Sequence, residues 1–144
     1  MTATAESTTS LRIRALGAAM VVTLLGQLLL GMANTFWLTL PESGSGWKAA
    51  APMGLLTAHM TLGTAAFVLA AWIAVSAFRG HDRSWLNASM VGILGIVIAF
   101  GAGAAFMSQT SNDGASYAMA VGTSLAIAAY AFGLYRLPVT TSTP

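Results

Sequence analysis

Four long apolar stretches run along the chain, at about Ala15 to Leu40, Met53 to Phe78, Leu86 to Met107 and Tyr117 to Tyr135. Each holds roughly 19 to 26 residues, enough at 1.5 Å per residue to cross a hydrocarbon core of about 30 Å. Lipid offers no hydrogen bonds to a bare backbone, so each stretch is predicted to be a helix. The connectors carry polar residues, Gly and Pro: Pro41 to Gly46 followed by Trp47 and Lys48, then Arg79 to Arg83, then Ser108 to Gly114. Residues 1–11 are rich in Thr, Ser and Ala with no period that would bury a face, and read as a disordered cytoplasmic tail. Residues 138–144, opened by the helix-ending Pro138, read as a second tail. The expectation is an all-α integral membrane four-helix bundle over residues 12–137.

Composition agrees with the pattern. Of 144 residues only 7% are charged and 56% are hydrophobic, where a soluble domain carries about 25% charged residues. The lipid bilayer is therefore the expected main solvent. Six basic against four acidic residues give a net charge of +2, too little to make a nucleic-acid-binding surface. The absence of cysteine rules out a disulfide, a thiolate nucleophile or a cysteine-held metal.

Basic residues also set an expected orientation. Arg12, Arg14, Arg79, Arg83 and Arg136 fall on the side shared by both termini, and Lys48 falls opposite. Both termini are then cytoplasmic in a multi-pass protein of the cell membrane. Phe78, Trp85 and Tyr135 are expected at the inner interface, and Trp37, Trp47, Phe106 and Tyr117 at the outer one. The first span is read as retained, because it outruns a signal-peptide core and ends in Phe36-Trp37-Leu38 without a small-x-small cleavage site.

Helices in lipid gain nothing from mutual apolarity, so small residues and a few polar groups must form their seams. Gly17, Met20, Leu24, Gln27, Gly31 and Asn34 make one such stripe; Leu56, His59, Gly63, Ala66, Ala70, Ile73 and Ala77 make another. Gly95, Ala99 and Gly103 mark the third helix, and Ala118, Gly122, Leu125 and Ala129 the fourth. Sliding the second span onto the fourth brings Met60 over Met119 and Gly63-Thr64 over Gly122-Thr123. The first span on the third brings Gly31 over Gly101 and Phe36 over Phe106. Two repeated helical hairpins explain this, as does chance likeness among Ala/Gly/Leu-rich spans.

Chemistry has few carriers here. The spans contain no Asp, Glu, Lys or Arg, which removes the apparatus of proton relays and ion-coupled transport. No phosphate-binding loop, nucleophile elbow or zinc-protease motif is present, so enzymatic activity is left open with the balance against it. The match to a glycosylation sequon at Asn87-Ala-Ser89 falls at a predicted cytoplasmic helix end and is read as chance. His59 stands out. It lies about six residues into the second helix, hence about 9 Å from the outer end, on the inward stripe. A neutral imidazole with a free nitrogen ligates a metal or haem iron, with Gly31, Asn34, Gln27 and Gly63 shaping the surrounding pocket. It serves equally as interhelical hydrogen-bond glue to Gln27 or Asn34. His81, among Arg79, Asp82 and Arg83, reads as a solvated loop residue. Met60 and Met119 offer thioethers, yet Met60 is turned about 100° from His59 around the helix and reads as core.

Leu25-Gly-Gln-Leu-Leu-Leu-Gly31, an outer loop with Pro41 and Trp47, and Ala58-His59-Met-Thr-Leu-Gly63 together resemble one four-helix half of the haem A synthase family. By that resemblance His59 is the haem ligand near the outer face. The family's Glu one turn before the histidine and the Arg after it are Leu55 and Met60 here, and its matching second histidine falls on Ala118. What the resemblance implies is a haem-sized cavity without the catalytic carboxylate. Three functions follow from the residues: binding haem or a similar flat hydrophobic cofactor through His59, a non-catalytic membrane subunit or scaffold, and a passive carrier of a small apolar solute. The partner in the scaffold reading is a membrane protein or a second copy forming a homodimer.

Overall fold

The structure is a computed structural model and describes residues 3–37, 54–80, 82–108 and 113–136, with side chains of the first helix described from Leu11. Its helices are α1 (Ala3–Trp37), α2 (Gly54–Arg79), α3 (Arg83–Ser108) and α4 (Asp113–Arg136). All four are long and apolar enough to cross a membrane, α1 by its segment Leu11–Trp37. The expected all-α four-helix bundle is what the chain forms. Residues 38–53, with Pro41, Trp47 and Lys48, then His81, residues 109–112 and residues 137–144 lie outside the described residues.

Local chemistry sets the helix ends. Gly80 N–H donates to the Ser76 carbonyl at 3.0 Å and Asp82 N–H to the Ala77 carbonyl at 3.2 Å, closing the last turn of α2. Asp82 then caps α3, its Oδ1 accepting from the Trp85 N–H at 3.1 Å. Asp113 opens α4 and Arg136 closes it, each the sign its helix dipole favours. At the other terminus the structure corrects the sequence. Residues 3–11, expected as a tail, continue α1 toward the N-terminus, because adding turns to an existing helix avoids the cost of nucleation.

Neighbouring helices are α1 with α2, α2 with α3, α3 with α4, and α4 with α1, a closed ring without diagonal packing among the described residues. Gly31 lies beside His59 and Gly63 beside Gln27, so α1 and α2 are antiparallel. Gly103 beside Met119 and Gly133 beside Ala88 show the same for α3 and α4. The core gathers Met20 and Leu24, then Ala66, Ala70, Ile73 and Ala77, then Trp85 and Ile96, then Ala126 and Tyr130. A smaller cluster of Leu56, Met60, Phe106 and Met107 joins α2 to α3 at the opposite end.

The tightest seam is α3–α4. A methyl group added at Gly95 would lie 2.5 Å from the Gly122 carbonyl oxygen, and one at Gly122 would lie 2.6 Å from the Gly95 carbonyl oxygen. Each glycine thus lets the other helix's backbone approach to contact. Two expectations need correction. Leu125, placed on the α4 seam, is exposed; the seam runs through Gly122, Thr123, Ala126, Tyr130 and Gly133, since a bulky leucine would hold the two backbones apart. Trp85, placed in the inner aromatic belt, is 1% exposed. Its indole packs against Gly17 of α1 and Gly133 of α4, because those glycines leave the volume that a large ring fills.

The outward faces are apolar. Val22, Leu29, Val68, Trp72, Leu94, Val97 and Phe132 are exposed along the helices, a surface that a water-soluble monomer does not carry. Phe36, Trp37 and Tyr117 are exposed at one end, Phe78 and Tyr135 at the other, as an aromatic belt requires. Hydroxyls on these helices turn back on the backbone: Thr23, Thr61, Thr64, Ser76 and Ser108 each donate to the carbonyl four residues earlier. That bond satisfies a polar group in lipid without a partner helix.

Candidate functional site

His59 and Gln27 meet between α1 and α2, with 3.2 Å between the two Nε2 atoms. The helical periods of both stripes bring them there. With the amide nitrogen donating, Nε2 accepts and the ring proton sits on Nδ1; with the amide turned over, the two roles exchange. Each polar side chain lies over a glycine of the opposite helix. A methyl added at Gly31 would stand 3.2 Å from His59 Cε1, and one at Gly63 would stand 2.9 Å from Gln27 Nε2. The two glycines therefore make room for a reciprocal clasp.

Four of the five candidate residues come together in this way: His59, Gln27, Gly31 and Gly63. Asn34 lies one turn beyond Gly31 on the same α1 stripe, with both amide atoms buried and without a hydrogen-bond partner. Gln27 Oε1 and His59 Nδ1 are in the same condition. Each such atom costs about 1–3 kcal/mol relative to a satisfied one, so the seam concentrates unmet polar demand in the half farther from Arg12 and Arg79.

The arrangement can be tested against a haem. Iron ligation needs an imidazole lone pair aimed at open space. Nε2 is hydrogen-bonded to Gln27, and Nδ1 is buried on the side of Gly31, 3.8 Å from a methyl built there. Turning the amide over exchanges donor and acceptor but leaves Nδ1 as the nitrogen facing Gly31. Both ring nitrogens therefore lie within the α1–α2 seam, and a haem ligated by His59 would take the place of the Gln27 or the Gly31 contact. Met60 offers no second ligand at this place: it packs with Leu56, Phe106 and Met107 toward α3, while His59 faces α1. Among the described residues no three His, Cys, Asp or Glu side chains gather to hold a metal ion.

A second polar group was not legible as such in the sequence. Trp85, Ser89 and Tyr130 are 1%, 0% and 0% exposed, and Trp85 Nε1, Ser89 Oγ and the Tyr130 hydroxyl have no hydrogen-bond partner. Tyr130 packs its ring on Gly92, and Gly133 one turn along α4 receives Trp85. The signal available was glycine placed opposite aromatic residues on adjoining helices. A shallow surface groove along α2 is lined by Thr61, Thr64, Ala65, Val68, Leu69 and Trp72; it lies on the face away from His59.

Compared with known proteins, the chain matches no family model, no curated protein and no solved structure.

Proposed function

We propose that this protein is a non-catalytic subunit or scaffold of the cell membrane in which His59 is interhelical glue. The observation that carries the reading is the clasp itself, in which His59 Nε2 is hydrogen-bonded to Gln27 and each side chain is seated on the other helix's glycine. A group so held specifies how α1 and α2 pack. The lipid-facing surface of the ring leaves all four outer faces available to another membrane protein or a second copy. Both termini are cytoplasmic in this reading, supported by the five arginines at one end of the bundle; reporter fusions at each terminus test it.

A second reading, a seat for haem or a similar flat hydrophobic cofactor, is favoured by one observation: Nδ1 of His59, Oε1 of Gln27 and both amide atoms of Asn34 lie unpartnered in one seam. Here His59 would supply the iron ligand, and Gln27 and Asn34 would hydrogen-bond the cofactor's polar edge. An absorption spectrum of the protein purified after expression with ample haem separates the two. A colourless preparation supports the subunit reading, and a Soret band that disappears in His59→Ala overturns it.

A further inference from the structure

We propose that the arginine end of the bundle binds the headgroups of anionic phospholipids, with Arg136 as the residue that reaches them at the depth of the lipid phosphates. The proposal rests on the membrane-spanning fold and is independent of what His59 does. Arg12 and Arg14 on α1, Arg79 at the end of α2, Arg83 at the start of α3 and Arg136 at the end of α4 form one layer. The short α2–α3 turn brings Arg79 and Arg83 to the same level, and the approach of Leu134 to Gly17 brings the end of α4 level with the start of the α1 span. Among residues whose side chains are described, Asp82 is the acid at that end, and its Oδ1 is engaged by the Trp85 N–H. In the sequence that end carries five arginines against Glu6 and Asp82, a net cationic rim around an apolar body.

Arg136 adds a direction to the charge. An arginine at the end of a spanning helix ordinarily extends its guanidinium away from lipid into water. Here the guanidinium folds back along α4, its carbon 4.7 Å from the centre of the Phe132 ring. Phe132 is one turn nearer the bilayer centre and faces outward, 53% exposed. The cation–π contact holds the charge over a lipid-facing ring, where the group that can neutralise it is a lipid phosphate, bound through two parallel N–H donors. An acidic partner protein or free phosphate would have its charge in the water beyond the helix ends, where this guanidinium does not point.

The test uses the full chain reconstituted in phosphatidylcholine bilayers containing brominated phosphatidylglycerol or brominated phosphatidylcholine. Tryptophan quenching reports which lipid contacts the protein, with Phe132→Trp, directly beneath the Arg136 guanidinium, as the reporter in a chain that also carries Trp37→Phe, Trp47→Phe and Trp72→Phe. The expected result is a preference for phosphatidylglycerol that falls about fivefold in Arg136→Gln, the effect of one cation near a charged surface, and that Arg136→Lys keeps only in part, since an ammonium lacks the paired donors. A preference that survives Arg136→Gln overturns the proposal, as does equal quenching by the two lipids. Erasure of the preference by millimolar inorganic phosphate also overturns it, since the site would then be one for free phosphate.

Discussion

Gln27 and His59 bridge α1 and α2 at 3.2 Å, each resting on a glycine of the opposite helix. The exchange makes four residues one unit: enlarging Gly31 displaces the imidazole, and enlarging Gly63 displaces the amide. Hydrogen bonds between membrane helices are worth about 0.6 kcal/mol on average and up to about 1.7. Gln27→Leu and His59→Leu should therefore each lower stability, with a coupling energy in that range when combined. Reversible unfolding of both single variants and the double variant in mixed detergent measures it. Strict additivity would mean that the two side chains do not interact.

The α3–α4 seam leaves no room for side chains at Gly95 and Gly122. Gly95→Ala should cost about 1–3 kcal/mol through overpacking against the Gly122 carbonyl. Gly101, with open space around its Cα on the same helix, should accept alanine with no loss. Unfolding midpoints of the two variants under one condition decide the matter, and equal effects would contradict the packing.

Trp85 fills the volume between Gly17 and Gly133. Replacing it by alanine should cost about 3–5 kcal/mol, as for other buried aromatic truncations. Trp72→Ala on the exposed face of α2 should cost far less. Thermal unfolding in the same detergent, compared with the parent chain, gives both values.

Ser89 predicts the opposite sign. Its hydroxyl is fully buried without a partner, and removing such a group relieves its desolvation cost. Ser89→Ala is expected to leave stability unchanged or raise it by up to about 1 kcal/mol. Thr123, equally central, donates to the Met119 carbonyl at 2.8 Å, so Thr123→Val removes a bond that is made and should not stabilise. Denaturation midpoints that fall in Ser89→Ala would reveal a partner for its hydroxyl.

The seams of α1 and α2 were readable from spacing alone, because their small and polar residues alternate cleanly with large apolar ones. Every residue expected on the α2 stripe, from Leu56 to Ala77, is buried or half-buried. The phase of α4 was not readable. Small residues surround that helix on all sides, and what fixes its rotation is the match of Gly122 to Gly95 across the seam. Trp85 misled for a related reason: its position at a helix end resembles an interface anchor, and its burial depends on glycines far away in sequence. The meeting of His59 with Gln27 was among the options the stripes allowed, while the seating of each on the other helix's glycine required the packed structure.

The most direct test of the central claim exploits the absence of cysteine in the chain. Gln27→Cys combined with His59→Cys places two thiols where the side chains now meet; Leu29→Cys with Thr61→Cys places two on exposed faces of the same helices. In bilayers under mild oxidation, the first pair should cross-link rapidly and the second should not. Equal rates for the two pairs, or cross-linking of the second alone, would show that His59 does not face α1 and would remove the clasp from which the proposed function is argued.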